Sequence, residues 1–391
     1  MVQTHKQQGL TRFYAVLAKI WERGPIWFLR RIKREFFVPS TGPTKTLRNI
    51  RVAFEHTFFR KRSSGQFPAA DVLYFFYDLE ICPITYDMVT YLAIAEMCRR
   101  REGLAGIHVV IVPGTVNGLR EEVPEYEAAI NHESRHWRLH NLVIPLFRLL
   151  PTCTGYTVYG TRQEAIDGIY SSAGHIFPEG YSVSRPVGPR PSDICDAARA
   201  GETVHPLIRA TPQGLSYMRQ FLEPRARGRR IVVINLRRYA FMPARDSQDE
   251  NWFAFAKGLD SSKWMPVFVL DTDVALDLPP PALDDFVVCH AVPWSIGLRM
   301  ALYELADLTM AIAQGPMELC WLNDRCRYAF FVRPGSSPHT TDETFIEHGF
   351  EPGKDPPYAV AGQRWIWASD DLPVIRSVFS EMTSGMDGKA R

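Results

Sequence analysis

The residues best suited to chemistry in this sequence surround the tripeptide Gln314-Gly315-Pro316, which stops an apolar run and precedes a short helical stretch. Gly315 allows the backbone to approach a ligand closely, and Pro316 suits the first position of a helix. We predict that the N–H groups of Met317 and Glu318 are free to bind an anion. The Glu318 carboxylate would then accept hydrogen bonds from a sugar hydroxyl. A tight strand-to-helix turn without a ligand is the structural alternative.

Other polar residues stand where neighbouring strands are predicted to end. Arg237 and Arg238 close the run 229–238, and His290 lies near the end of the run 285–291. Because ligands of open parallel sheets bind beyond the carboxyl ends of the strands, these side chains are predicted to share one ligand site with residues 314–318. Neither a G-x-G-x-x-G fingerprint nor a Walker loop is present, which disfavours dinucleotide oxidoreductases and P-loop kinases.

Two carboxylates are candidates for proton transfer in the first half of the chain. Asp78 ends the apolar run 71–79, and Asp87 follows the Cys82-Pro83 turn. Asp78 is predicted to be the catalytic base, because partial burial at a cleft edge can tune a carboxylate for removing a hydroxyl proton. The alternative for Asp78 is a turn or capping carboxylate. Asp87 is expected to be a first-turn acid stabilised by a helix dipole.

Residues 132–136 match the zinc-protease pattern H-E-x-x-H, with His132 and His136 on one helix face and Glu133 beside them. Arg135 would place a fixed positive charge between these ligands, the flanking residues are polar, and no third ligand follows at the usual spacing. We therefore predict no metal site. The same region also fits a basic patch, formed by Arg135, His136 and Arg138, that faces an anionic substrate or lipid.

Strands and helices alternate along most of the chain, which predicts parallel sheets. Continuous apolar runs indicate buried strands, and runs with one apolar face indicate helices. The predicted strands are 71–79, 107–114, 229–238, 265–273 and 285–291, and the predicted helices are 85–101, 250–260 and 295–306. The C-terminal segment 364–379 is predicted to add a strand and a helix.

These elements predict an α/β protein with two Rossmann-like domains that face each other across a cleft. We assign residues 1–65 to a basic amphipathic arm, 66–205 to an N-terminal domain, 206–228 to a linker and 229–391 to a C-terminal domain. The segment 11–38 combines aromatic and basic residues, which is typical of a segment that binds an anionic membrane surface. A helix that docks on its own domain explains the pattern equally well.

Composition excludes several classes of protein. The chain has 391 residues with 46% hydrophobic residues and a formal net charge of +2, so a globular core is expected and nucleic-acid binding is not. The seven cysteines include no C-x-x-C pair, which favours a reducing compartment over a disulfide framework. No run approaches the roughly 18 apolar residues of a membrane span. A cytoplasmic protein, held at the membrane surface through its arm, is the expectation.

The strand–Gly-Pro–helix–strand order, the strand end INLRRY and the Trp-rich final segment resemble the GT-B architecture of nucleotide-sugar glycosyltransferases, specifically those of bacterial surface-polysaccharide synthesis. The resemblance implies that the C-terminal domain holds the donor diphosphate near the Gly-Pro turn. Arg237 is similar in position to the donor-binding arginine of fucosyltransferase-like members. The His-x-Arg-x-Gly-Asp pattern of some of these members is missing here, which leaves the sugar nucleotide open.

The function expected from this resemblance is metal-independent transfer of a sugar from a nucleoside-diphosphate sugar to a hydroxyl of a glycan or lipid-linked acceptor. No cofactor is expected, and the partners would be the nucleotide sugar and the acceptor. A sugar-nucleotide epimerase or hydrolase of the same architecture is an alternative within enzymes. A non-catalytic binding protein that keeps the two-domain shell is the alternative outside them.

Overall fold

The computed structural model describes residues 68–205 and 207–386 and contains two separate parallel β-sheets, one in each half of the chain. The prediction of an α/β protein with two Rossmann-like domains is confirmed. The arm 11–38, and the membrane contact predicted for it, lie outside the described residues. Among the described residues, no helix combines the length and apolar character needed to cross a membrane.

The N-terminal sheet has four parallel strands in the order β3-β2-β1-β4. Its strands are β1 (Val72–Asp78), β2 (Gly106–Val112), β3 (Cys153–Val158) and β4 (Ile176–Phe177). The helices of this half are α1 (Asp87–Arg101), α2 (Pro124–Ala129), α3 (His132–Arg138), α4 (Ile144–Leu146), α5 (Arg162–Asp167) and α6 (Ser192–Arg199). The β1-α1-β2 unit follows the predicted strand, helix and strand closely.

The C-terminal sheet has six parallel strands in the order β10-β9-β8-β5-β6-β7. Its strands are β5 (Arg230–Asn235), β6 (Trp264–Val269), β7 (Val287–Val288), β8 (Leu308–Ile312), β9 (Tyr328–Phe331) and β10 (Gln363–Ile366). Its helices are α7 (Pro212–Ala226), α8 (Asp249–Lys257), α9 (Ile296–Leu305), α10 (Glu318–Trp321), α11 (Asp342–Glu347) and α12 (Leu372–Thr383). Read from β7 to β10, the strands take the classical doubly wound order, which reverses direction between β5 and β8.

Burial explains why these segments form central strands. Every residue of β6 and β8 is buried, as expected for parallel strands that carry helices on both faces. Helix α9 begins where Ser295 accepts a hydrogen bond from the Leu298 amide (3.4 Å). The sheet therefore holds the carboxyl ends of β5, β6 and β8 in fixed positions relative to one another.

The two domains pack through an apolar interface. A single cluster of buried side chains includes Leu73 and Leu92 of the first half together with Val233 and Met300 of the second. Helix α7, inside the segment predicted to be a linker, packs against α9. The terminal helix α12 packs against α8 of its own domain.

Candidate functional site

The candidate site is the crevice at the strand-order reversal between β5 and β8, where ligands of doubly wound sheets bind. Asn235 ends β5, and its side-chain oxygen accepts a hydrogen bond from the Tyr303 hydroxyl at 3.0 Å. The Gln314 side chain, beyond β8, donates to the Asn235 carbonyl oxygen at 3.1 Å. The predicted turn residues therefore do lie at the reversal point, and hydrogen bonds fix both strand ends.

The Gly-Pro turn does not present free amides, so that part of the anion-site prediction is wrong. The Met317 amide donates to the Gln314 carbonyl oxygen at 3.2 Å, and the Glu318 amide donates to the Gly315 carbonyl oxygen. These bonds close a 3₁₀ turn ahead of α10, which has only four residues. Pro316 occupies the first turn, as predicted.

Gly315 serves the contact between domains rather than the approach of a ligand. A Cβ atom at this position would lie 2.9 Å from Cδ2 of Tyr86, the residue that precedes α1 of the N-terminal domain. A larger side chain would therefore push the domains apart. The close approach inferred from the glycine is real, but the group that approaches it is a tyrosine ring.

Glu318 brings a buried carboxyl group to the same interface. Its side chain accepts a hydrogen bond from the Thr90 hydroxyl of α1 at 3.2 Å. Burial raises the pKa of Glu318 well above its usual value, and the neighbouring Asp87 carboxyl, which is hydrogen-bonded to it, raises the pKa further. The raised pKa favours the protonated form of Glu318, which can donate to the Asp87 carboxylate. Asp87 itself is exposed in the first turn of α1 and accepts a hydrogen bond from the Thr85 hydroxyl at 2.9 Å.

Arg237 lies at the end of β5 but does not face the crevice with a free charge. It is 5% exposed, and its guanidinium pairs with Asp246 and donates to the carbonyl oxygens of Met242 (3.1 Å) and Phe241 (2.7 Å). These contacts hold the loop between β5 and α8. The loop already uses most of this guanidinium, and contact of Arg237 with a ligand stays a prediction. Arg238 is exposed and pairs with Asp249.

Two arginines that the sequence did not single out fit an anion better. Arg299, on α9, is 2% exposed, and its Nε donates to the Val292 carbonyl oxygen at 3.3 Å. Arg245 donates to the carbonyl oxygen of Ala313, directly beyond β8, at 3.0 Å, and its Nε is buried without a partner. Within the described part of the chain, neither arginine forms an ion pair with a carboxylate.

Arg245 is partly buried, and its buried Nε atom has no hydrogen-bond partner. Burial and the charge of Arg237 together lower the pKa of Arg245 to about 10. The group is still protonated at neutral pH. Taking a charge out of water without a partner costs free energy, so an anion that binds beside Arg245 would be stabilised by its charge.

The crevice also contains acidic groups after β6. Burial and the charge of Asp273 together raise the pKa of Asp271 to about 6. From the opposite domain, Arg138 of α3 donates to the Tyr239 hydroxyl and attracts Asp273. The Asp271-Thr272-Asp273 segment therefore faces the N-terminal domain.

Asp78, the predicted catalytic base, is a structural carboxylate. It ends β1 as predicted but is 0% exposed. Its two oxygens accept from Arg162 of α5 at 2.7 and 3.0 Å, and the Tyr181 hydroxyl adds a third bond at 2.7 Å. Burial raises the pKa of Asp78, and Arg162 opposes that increase. With its oxygens occupied inside the domain, Asp78 cannot reach an acceptor hydroxyl, and Asp87 is the carboxylate in this region that does face the cleft.

The two histidines of the H-E-x-x-H segment contact the same backbone carbonyl group. The Nε2 atoms of His132 and His136 lie 3.0 and 3.1 Å from the Asn117 carbonyl oxygen. Arg135 is buried and pairs with Glu127, so the basic patch predicted to include it does not form as expected. In residues 68–205 and 207–386, no group of three or more His, Cys, Asp or Glu side chains is placed to hold a metal ion.

His290, the remaining predicted site residue, lies beyond the edge strand β7. It is exposed, and its Nδ1 lies 3.3 Å from the Ala275 carbonyl oxygen. Two strands, β6 and β7, stand on this side of β5 in the sheet. His290 thus shares the ligand-binding edge of the sheet with the crevice residues, and its contact with a ligand stays a prediction.

Comparison with known proteins finds no matching family model and no matching curated protein. Among solved structures, the glycosyl transferase family 9 protein from Veillonella parvula is 9% identical with a TM-score of 0.45, covering 83% of this chain and 100% of its own. ADP-heptose LPS heptosyltransferase II from E. coli is 9% identical with a TM-score of 0.46, covering 81% and 99%. The wall teichoic acid polymerase TagF is 10% identical with a TM-score of 0.30, covering 90% and 93%. Likenesses this distant carry no weight on activity.

Proposed function

We propose that the protein is a glycosyltransferase that uses a nucleoside-diphosphate sugar as donor and a hydroxyl group as acceptor. The observation that carries the proposal is that arginines of one domain and a carboxylate of the other border the same crevice. The C-terminal domain supplies the buried Arg299 and the partly buried Arg245, which have no carboxylate partner among the described residues, near the strand-order reversal. The N-terminal domain supplies the exposed carboxylate of Asp87. Donor and acceptor chemistry would thus come from different domains.

Arg245 and Arg299 are the proposed ligands of the donor diphosphate. Both are fixed by hydrogen bonds to backbone carbonyls, so their positive charges are preorganised before a ligand arrives. In the reaction, the bond between the anomeric carbon and the diphosphate oxygen breaks, and the diphosphate leaves with the electron pair. The guanidinium groups stabilise the negative charge that develops there, so the proposed transfer needs no metal ion.

Asp87 is the proposed base. The acceptor oxygen bonds to the anomeric carbon while its proton passes to the Asp87 carboxylate. Glu318, Gln314 and the Gly315-Pro316 turn would then line the donor side, and Arg238 and His290 extend the same edge of the sheet.

The remaining parts of the proposal concern where the protein works. Arginine-rich and aromatic residues in the segment 11–38 support binding to an anionic membrane surface, which suits a lipid-linked or surface-glycan acceptor. The protein would act on the cytoplasmic face. Deletion of residues 1–38 should release it from vesicles of anionic lipid, and retention on them would favour a helix docked on the domain.

The proposal is tested by incubating the protein with UDP-, GDP-, ADP- and CDP-sugars, with and without a mixture of short oligosaccharides. A transferase releases the nucleotide only when the acceptor is present. Release without acceptor would indicate a hydrolase, and no release with any donor would support a non-catalytic binding protein.

Asp87→Asn separates catalysis from binding. It removes the proposed base but leaves the arginines in place, so we expect turnover to fall by about 100-fold or more with nucleotide affinity retained. Asp277→Asn, an exposed carboxylate beyond β6, is the matched control and should keep full turnover. Equal turnover in Asp87→Asn and the wild type would remove Asp87 from the mechanism.

A further inference from the structure

Two tryptophans, one from each domain, form an exposed pair at the mouth of the crevice. Trp137 belongs to α3 and Trp294 directly precedes Ser295, the cap of α9. Their rings meet edge to face, with centroids 5.6 Å apart and planes 83° from parallel. Trp137 is 41% exposed and Trp294 is 38% exposed, so the contact leaves much of both rings open to solvent.

Contacts on both sides place the pair beside the candidate site. Arg138, next to Trp137, donates to Tyr239 of the loop that follows β5. The Thr272 hydroxyl lies 3.4 Å from the carbonyl oxygen of Pro293, next to Trp294. The exposed Asp273 follows Thr272, and its charge interacts with that of Arg138, the residue after Trp137.

Perpendicular aromatic faces beside a carboxylate are suited to a sugar ring. The C–H groups on one face of a pyranose carry partial positive charge and pack on the negative face of an aromatic ring. The hydroxyl groups at the edge of the sugar donate to a carboxylate, which acts only as an acceptor when ionised. We propose that Trp137, Trp294 and Asp273 bind a sugar ring of the acceptor, so that the acceptor is a glycan. This proposal rests on the proposed transferase function, because it assigns the sugar to the acceptor.

The surroundings favour a sugar over an anionic lipid surface. Asp273 and Asp277 are both exposed on the segment that follows β6, and their negative charges would repel anionic headgroups. Because each domain supplies one tryptophan, a ring bound between them contacts both domains. Glycan binding would therefore favour the closed arrangement in which Asp87 and Glu318 meet.

The experiment measures binding of defined oligosaccharides, printed as an array and then titrated singly against tryptophan fluorescence. Wild-type protein should bind at least one of them. Trp137→Ala and Trp294→Ala should each weaken that binding by about tenfold or more, and Trp294→Tyr should retain most of it because a tyrosine ring still offers an aromatic face. The matched control is Tyr217→Ala, since Tyr217 is an exposed aromatic residue on α7 and its loss should leave glycan binding unchanged.

The outcomes separate this proposal from the transferase function. Binding of a nucleoside diphosphate without binding of any oligosaccharide would overturn the glycan site and leave the donor site standing. Glycan binding that survives in both alanine variants would also overturn it. Binding to vesicles of anionic phospholipid, lost in Trp137→Ala and Trp294→Ala, would show that the pair is a lipid contact instead.

Discussion

Arg237 and Arg238 are adjacent in sequence, and the structure predicts opposite outcomes when each is replaced by methionine. Methionine keeps the length of the apolar stem and removes the guanidinium. The Arg237 guanidinium is buried and has three partners in the loop after β5, one of them the carboxylate of Asp246. The Arg238 side chain is 52% exposed, and its guanidinium pairs with Asp249.

The expected losses follow from burial. Removing one partner of a buried ion pair costs about 3–5 kcal/mol, because the other charge is left without compensation. For a domain of this size, that loss corresponds to a decrease in Tm of about 6–20 °C. An exposed ion pair contributes about 0–1 kcal/mol, so Arg238→Met should lower Tm by less than about 4 °C.

Thermal unfolding of the wild type and both variants, followed by circular dichroism at pH 7, measures the difference. We expect Arg237→Met to be strongly destabilised and Arg238→Met to be close to the wild type. Equal, small decreases in Tm would refute the conclusion that Arg237 holds the loop. They would indicate that its guanidinium is free to bind a ligand.

Two further predictions concern buried carboxyl groups. Glu318→Gln should change the pH dependence of stability. Because the pKa of Glu318 is raised, the folded state holds a proton that the unfolded state loses above about pH 4.5. The contribution of Glu318 to wild-type stability therefore falls as pH rises above 4.5, by at most about 1.4 kcal/mol per pH unit. The variant should lack that part of the slope in denaturation curves from pH 5 to 8, and an unchanged slope would contradict a protonated Glu318 in the folded state. Asp78→Asn should lower stability by about 3–5 kcal/mol because it leaves Arg162 without its partner; urea denaturation measures this, and a loss below 1 kcal/mol would contradict the structural role.

The strands and helices could be predicted because each leaves a pattern of apolar residues in a short stretch of the sequence. Strand β1 and helix α1 lie within a few residues of their predicted limits, since continuous apolar runs and one-sided helical faces are visible in short windows. The location of the Gly315-Pro316 turn beyond a central strand was predicted for the same reason. The strand order, which sets the crevice between β5 and β8, depends on long-range pairing.

The site could be predicted only in position, because the roles of its side chains depend on distant partners. Asp78 ends its strand as expected, but Arg162 of a different helix occupies it. Arg237 ends a strand as expected, but its guanidinium pairs with Asp246 of the following loop. The signal for Arg245 is a missing partner, which no sequence pattern shows. Tyr86, which covers Gly315, belongs to the other domain.

The central claim is that the crevice binds a diphosphate through arginines without carboxylate partners. Isothermal titration of the wild type with UDP, GDP, ADP and CDP tests it most directly, together with Arg245→Met and a distant control, Arg225→Met on the exposed face of α7. We predict that at least one nucleotide binds the wild type and Arg225→Met equally, and that Arg245→Met weakens this binding roughly 10- to 100-fold, as expected for the loss of a charged hydrogen bond. Failure of all four nucleotides to bind the wild type, or equal affinity in Arg245→Met, would contradict it.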